Sequence, residues 1–444
     1  MRDPVTVPNN DFYWRPDSVD GTGGAWCPPE ELLRRLADPV YAVGRPGGVG
    51  FTSSGQVFSG SGALPEGALP LAGIAPATHP ARLGDMSFCA DHGLSLPLYA
   101  GSMAHGISSA ALVAAMGRAG MLGFYGAAGE SPDALETVLA QFQETLAGIP
   151  YGFNLINSPN DSAWEMAVAD LYLRRGLRLV EASAYLFPTP ALVKYRVSGI
   201  HREPDGRVVA PNRIIAKVSR VEIAARFFAP PPEKTLRRLV ESGDITADEA
   251  LLANGIPLAQ DLTAEADSGG HTDYRSAFAM LPSLLSLRDE AMADHGYPVP
   301  LRVGLAGGIA TPHAVAAAFA MGAAWVVTGS VNQACAESGT SDAVRILLAG
   351  AAQTDVARVP AADMFEMGVT VQVLKKGVRF AERAARLMEL YKRYDSIEAI
   401  PVEDRTKLEE SVFRMPLDEV WDQTRRFFEA RDPRDKSIQK YPYA

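Results

Sequence analysis

Leu301-Arg302-Val303-Gly304-Leu305-Ala306-Gly307-Gly308-Ile309-Ala310-Thr311-Pro312 leads into an alanine-rich stretch and then into Ala323-Ala324-Trp325-Val326-Val327-Thr328-Gly329-Ser330. The pattern reads as strand, glycine turn, helix, strand and second glycine turn. Thr311 suits a helix N-cap, and Pro312 suits the first helical position, where no N–H is required. Val315, Ala318, Phe319 and Gly322 share one helix face, and Gly322 ends the helix. Gly307-Gly308 and Gly329-Ser330 each follow an apolar strand. Paired turns of this kind bring backbone N–H groups close to an anion, and in (β/α)8 barrels the phosphate site follows strands seven and eight. The alternative is two tight turns with no ligand.

Working outward, apolar strand candidates lie at Pro97–Ala100, Met121–Tyr125, Tyr151–Leu155, Leu177–Ala182, Arg213–Val218, Gln260–Glu265, Leu301–Leu305 and Ala324–Thr328. Helical stretches separate them. One starts at Ser131-Pro132-Asp133 and carries Leu135, Val138, Leu139, Phe142 and Leu146. Another starts at Asn160 and ends at Gly176. A third spans about Ser276 to Asp294. Eight strands alternating with helices give the count of a closed parallel barrel, with a doubly wound open sheet as the alternative. The paired turns at strands seven and eight favour an α/β fold of the (β/α)8, or TIM-barrel, type over residues 96–340.

The flanks depart from that rhythm. Residues 1–95 are rich in Gly and Pro, with a short helix expected near Glu30 to Ala37 and a hairpin at Gly50 to Gly62. They read as an N-terminal cap or subdomain. Ile200 to Pro211 holds the turn signal Pro204-Asp205-Gly206 and reads as a hairpin leading into strand five. Residues 222–257 hold Pro230-Pro231-Pro232 and an amphipathic helix with Leu236, Leu239 and Val240. This helical insertion is either a lid over the barrel mouth or a peripheral decoration. Residues 341–444 read as a helical C-terminal extension. Its stripe of Phe380, Ala384, Leu387, Met388 and Tyr391 is expected to pack on the barrel.

Composition narrows the function. The 444 residues carry a net charge of −10, which argues against general binding to nucleic acid or to anionic membranes. Three scattered cysteines, Cys27, Cys89 and Cys335, suggest a reducing compartment rather than a disulfide frame or a zinc site. The N-terminus lacks an apolar leader core, and the longest apolar run, Ala314 to Val327, is too short to span a bilayer. A cytoplasmic protein is expected. No nucleotide P-loop, zincin, α/β-hydrolase or strand-borne Rossmann glycine motif is present.

The chemistry-bearing residues converge on strand ends. Glu265-Ala266-Asp267-Ser268-Gly269-Gly270-His271-Thr272 follows strand six, on the catalytic face of a barrel. His271, given room by the glycines before it, can hydrogen-bond a carbonyl or move a proton near neutral pH, and Asp267 is close enough in sequence to orient it. A surface-loop histidine is the plainer alternative. His105, after Gly101-Ser102-Met103-Ala104, either borders the site or caps the next helix. Asn154 at strand three can offer its amide to a heteroaromatic ring. Lys217 at strand five can set a positive charge beside a ring that becomes anionic on reduction. Together with the terminal phosphate turns, this set suggests FMN.

A resemblance adds to that reading. Ala306-Gly307-Gly308-Ile309, Gly322-Ala323-Ala324 and Gly329-Ser330, with Ser268-Gly269-Gly270-His271 upstream, resemble the nitronate monooxygenase (2-nitropropane dioxygenase-like) FMN barrels. That family includes flavin-dependent enoyl-acyl-carrier-protein reductases, and the match covers roughly half the chain. Longer strings extend it: Met116 to Phe124, Ala210 to Arg220, Glu265 to Asp273, Thr328 to Gln333 and Asp363 to Val369. These look like the PfaD-type enoyl reductases, which act in trans with polyunsaturated fatty acid synthases and with polyketide synthases lacking built-in acyltransferases.

The resemblance implies that NADPH reduces FMN, and that the flavin N5 hydride then goes to the β-carbon of an enoyl thioester borne by an acyl carrier protein. Gly307, Gly308, Gly329 and Ser330 would hold the FMN phosphate, and Met103, Asn154 and Lys217 would contact the isoalloxazine. Ala104 and the Ser268-Gly269-Gly270 run complete the implied cofactor set. His271 would polarise the thioester carbonyl or help place the α-proton. A carrier protein is typically acidic, which calls for a local basic face: Arg237 and Arg238, Arg202 and Arg207, or Lys375, Lys376 and Arg379. The oligomeric state stays open, with a homodimer as one option. A nitronate-type flavin oxidase and a non-catalytic synthase-binding barrel are the alternatives.

Overall fold

The computed structural model describes residues 12–17, 26–32, 37–60, 66–159 and 161–431. They divide into two compact units, Met1–Met86 and Ser87–Ala444. The first unit holds strands β1 (Phe12–Arg15), β2 (Val40–Arg45), β3 (Gly48–Thr52), β4 (Gln56–Ser59) and β5 (Leu69–Ala75), ordered β3-β2-β5-β1-β4. Trp14, Val43 and Leu71 form its small core. The hairpin expected at Gly50 to Gly62 does not form. β3 pairs with β2 and β4 pairs with β1, so the two strands occupy opposite edges of the sheet. The helix expected near Glu30 spans Pro29–Leu32, and residues 33–36 lie outside the described set.

In the second unit, β6 (Leu98–Ala100), β7 (Leu122–Tyr125), β8 (Gly152–Ile156) and β9 (Leu179–Ser183) precede a short hairpin, β10 (His201–Arg202) with β11 (Val208–Val209). Then follow β12 (Arg213–Val218), β13 (Asp261–Glu265), β14 (Arg302–Ala306) and β15 (Val326–Thr328). The eight barrel strands close into an all-parallel ring, β12-β13-β14-β15-β6-β7-β8-β9, as the alternation with helices requires. The helices start where the caps place them. Ser131 accepts from Ala134 N–H, Asp161 from Trp164 N–H and Thr311 from Ala314 N–H, each at the head of a barrel helix. The helix expected from Asn160 spans Ser162–Arg174, and Asn160 itself lies outside the described residues.

The inside of the barrel is packed. Tyr99, Leu122, Phe124, Leu179, Ile215, Trp325 and Val327 form one buried cluster. A Cβ at Gly304 would overlap the Trp325 indole, so the glycine of the opening motif makes room for that ring. Tyr99 Oη lies 2.8 Å from Thr263 Oγ1, which also accepts from Trp325 Nε1 at 3.2 Å. Below them the Met86–His92 helix closes the N-terminal end, with Phe88 stacked on Trp325 at 4.1 Å. The division between units therefore falls at the start of this helix rather than at residue 95.

The floor is ionic. Arg302 donates to Asp261 through Nε (2.6 Å) and Nη2 (3.1 Å), and His92 Nε2 lies 2.9 Å from the same carboxylate. Burial pushes the Asp261 carboxyl up, but the bonds from His92 and Arg302 outweigh it, and the group is held below its ordinary value.

Two expectations about the flanks are corrected. The segment 222–257 is not a lid. It begins with a barrel helix, Val221–Phe228, and the rest joins that helix to β13 at the N-terminal end of the barrel, where Leu258 and Ala259 N–H bond to Ala229 and Phe227 carbonyls. Leu236 and Leu239 are buried against the outer core, and Asp244 pairs with Lys194 on the Pro190–Val197 helix at 2.7 Å. A connection that enters and leaves at the strand N-termini cannot cover the opposite mouth. The C-terminal extension is also not helical throughout. β16 (Val356–Pro360) and β17 (Thr370–Leu374) form an antiparallel hairpin. Ala384 of the Phe380–Arg393 helix packs into that hairpin's core with Val359, Ala361 and Val371, rather than on the barrel, while Phe380 and Tyr391 are exposed. Among the described residues no helix is long and apolar enough to cross a membrane.

Candidate active site at the barrel mouth

The barrel strands carry the polar residues. Asn154 and Glu181 stand at the middle of β8 and β9, and Lys217 and Glu265 near the ends of β12 and β13. Lys217 Nζ lies 3.1 Å from Glu265 Oε1 and 3.9 Å from Glu181 Oε2. Burial alone would favour the neutral amine, but the two carboxylates outweigh it and hold the Lys217 pKa well above its ordinary value. Lys217 is thus a fixed cation at the mouth.

Glu181 was not singled out by sequence, yet it links the site. It is 0% exposed. Its Oε2 accepts from Ser102 N–H at 2.9 Å and from the Ser102 hydroxyl. Among the described residues its buried Oε1 has no hydrogen-bond partner within normal distance. The only signal was a carboxylate inside an apolar strand, Leu179-Val180-Glu181-Ala182-Ser183, where a buried charge needs a reason.

Asn154 differs from its expected role. Its Nδ2 donates to Glu181 O (2.9 Å) and Ser183 Oγ (2.8 Å), so both amide hydrogens are used within the barrel and only Oδ1 is left to face a ligand. Met103 sits on the loop after β6, with its N–H bonded to Ser108 Oγ at 3.0 Å. A Cβ at Gly126 would overlap the Met103 carbonyl, which fixes that loop against the end of β7. Ala104 and His105 follow it and are exposed.

The glycine turns meet at one side. Gly307 and Gly308 adopt φ of +94° and +72°, and a Cβ on Gly307 would stand 2.5 Å from Ala266 O, so only glycine serves there. A Cβ at Gly269 would come 2.7 Å from Ser330 Oγ, which brings the loops after β13 and β15 into contact. A Cβ at Gly270, Gly308 or Gly329 would meet none of the described residues within 4 Å, so three loops present bare backbone to open space. Ser268 is half-buried between them, and its hydroxyl bonds to Gly269 O at 3.3 Å.

His271 is exposed on the loop after β13. The β16–β17 hairpin pins that loop. Gly270 N–H bonds Gln372 O at 2.9 Å, Gln372 N–H bonds Gly270 O at 3.0 Å, and Arg358 lies over the Tyr274 ring at 3.1 Å. Asp267 N–H bonds Arg275 O at 2.9 Å, and Arg220 grips Asp273 through Nε at 2.7 Å and Nη2 at 3.0 Å. The hairpin, rather than the insertion, therefore borders the loop after β13. Bare glycine backbone, a fixed ammonium and a buried acceptor without a partner fit a flat ring joined to a phosphate, as in FMN.

Known proteins share the barrel. Residues 88–399 match the family described as nitronate monooxygenase. The chain belongs to that family of oxidoreductases. A second, shorter match, residues 394–441, is to the inserted helical domain of acyl-carrier-protein S-malonyltransferase. The crystal structure of the enoyl reductase domain of MlnA, from the macrolactin biosynthesis cluster of Bacillus amyloliquefaciens, is 40% identical. It superposes with a TM-score of 0.75 over 80% of this chain and 79% of that one. A polyunsaturated fatty acid synthase polypeptide of Thraustochytrium sp. is 46% identical over 81% of the chain and 24% of its own length. The polyketide biosynthesis protein PksE of Bacillus subtilis is 44% identical over 79% of the chain and 46% of its own length. The chain thus spans less than half the length of these two curated relatives.

Proposed function

We propose that the protein is an FMN-dependent enoyl reductase that takes hydride from NADPH and acts in trans on α,β-unsaturated acyl thioesters held by acyl carrier protein, in polyketide or polyunsaturated fatty acid synthesis. The observation that carries this is the mouth itself: glycine turns after β14 and β15 and the fixed Lys217 cation on β12, in a chain 40% identical to an enoyl reductase domain. FMN, when bound, supplies a two-electron carrier that accepts hydride from one substrate and delivers it to the next.

The residues divide the remaining work. Gly307, Gly308, Gly329 and Ser330 would hold the phosphate through backbone groups, with the Ser268-Gly269-Gly270 loop closing one side. Lys217 would favour negative charge on the ring, and Met103, Ala104 and Asn154 Oδ1 would border it. His271 lies on the exposed loop where a thioester would arrive. Hydride addition at the β-carbon builds negative charge on the thioester oxygen, and an imidazole N–H aimed there lowers that barrier. The carrier would dock beside the same loop. Lys375, Lys376 and Arg379 follow β17, close in sequence to the Gln372 bridge, whereas Arg202, Arg207, Arg237 and Arg238 belong to the hairpin and insertion on the barrel flank.

The test is reduction of crotonyl thioester by NADPH with purified protein loaded with FMN. Turnover of the thioester supports the reading. Oxidation of a nitronate by O2 without thioester reduction would transfer the site to the oxidase reading, and failure to take up FMN would leave a scaffold.

A further inference from the structure

Glu181 ties together three parts of the mouth that the flavin reading uses separately. Its carboxylate holds the loop after β6 through the Ser102 N–H and hydroxyl, and it faces the Lys217 ammonium at 3.9 Å. Its carbonyl accepts from Asn154 Nδ2 at 2.9 Å. We propose that Glu181 is a positioning residue for the cofactor ring: it fixes Ser102 and Lys217, and its buried charge limits how strongly the site favours the reduced ring. This rests on the flavin reading of the same site.

Charge balance around Lys217 sets the effect. A carboxylate shut from water is costly unless it is paired, and Glu181 shares the Lys217 ammonium with Glu265, 3.1 Å from that nitrogen. Two carboxylates against one ammonium leave one net negative charge around Lys217. Lys217 alone would draw electrons onto a ring that turns anionic on reduction, and Glu181 opposes it across a poorly screened interior. Its influence on neighbours is already visible at Tyr99, whose phenol is pushed well above its ordinary value first by burial and then by the Glu181 charge. Among the described residues Oε1 meets no donor within normal hydrogen-bond distance.

The experiment is potentiometric titration of the FMN-loaded full chain, with oxidised-FMN affinity measured alongside. Glu181→Gln keeps the shape and removes the charge. It is expected to raise the affinity for reduced relative to oxidised FMN about tenfold, a rise of about 30 mV for a two-electron couple. Lys217→Met is expected to move the potential down, and the double variant to depart from the sum, because Glu181 acts through Lys217. Glu181→Asp is expected to keep the potential near wild type while weakening FMN binding, since the shorter side chain retreats from Ser102.

Glu165→Gln is the structural control. Glu165 is also buried, at 1% exposed, and it accepts from Ser158 N–H, Tyr185 and Thr189 in the loops after β8 and β9. Its replacement is expected to lower the melting temperature and leave the potential in place. An unchanged potential in FMN-loaded Glu181→Gln, or an equal shift in Glu165→Gln, would overturn the proposal. Wild-type protein that takes up no FMN would instead remove the flavin reading, and this inference with it.

Discussion

Replacing Asp261 with Asn tests the division of the barrel into a stabilising floor and a reactive mouth. Asp261 is 3% exposed and receives three bonds, two from Arg302 and one from His92. Asparagine keeps the volume but leaves Arg302, itself 2% exposed, with Asp91 at 2.9 Å as its remaining ionic partner among the described residues. Breaking one member of such a buried pair costs about 3–5 kcal/mol. At roughly 2 °C per kcal/mol for a unit of this size, the melting temperature should fall by about 6–10 °C in a calorimetric scan.

The pH dependence carries a sign. Because the folded Asp261 carboxyl is held below its ordinary value, its stabilisation is complete above the unfolded carboxylate range, near ~3.9. It is lost as pH falls through the folded value. The gap between wild type and variant should therefore be flat from about pH 7 to 5 and close below about pH 4. FMN uptake at about 20 °C should survive, since the mouth is at the other end of the strands. A fall below about 1 kcal/mol would mean that water replaces the lost charge, and would refute the buried floor.

Other substitutions address the mouth. His271→Ala should leave FMN bound and the melting temperature within about 1 °C, because the side chain is exposed, while crotonyl-thioester reduction drops about 10²-fold or more; unchanged turnover would remove its role. Gly307→Ala should weaken FMN binding at least tenfold, measured by fluorescence, because the added Cβ meets Ala266 O at 2.5 Å in a left-handed turn. Lys375→Glu with Lys376→Glu should raise KM for a carrier-borne enoyl chain several-fold and leave KM for free crotonyl thioester unchanged. Equal effects on both substrates would move carrier docking elsewhere.

The barrel was legible because its signals are local. Thr311-Pro312 and Ser131-Pro132 cap their helices as written, and the eight expected strands match the observed ones within one or two residues at most ends. The insertion stayed undecided between lid and decoration for a topological reason. Sequence shows a segment's length and apolar face, but the end of the barrel it leaves from depends on where the preceding helix stops, here Phe228. The C-terminal hairpin was in fact written in period two, Thr370-Val371-Gln372-Val373-Leu374, and was overshadowed by the helical pattern around it. Asn154, Lys217 and His271 were found as polar residues at or beyond expected strand ends. Glu181 was hidden within an apolar run, and its partners Ser102 and Lys217 come from distant parts of the chain.

The central claim is best tested by anaerobic titration of the purified protein with NADPH, followed by visible absorbance. The protein is expected to be yellow, to bleach as NADPH is added and to regain its colour when crotonyl thioester follows. A yellow protein that NADPH leaves unchanged, or a colourless one that cannot be loaded with FMN, would contradict that claim.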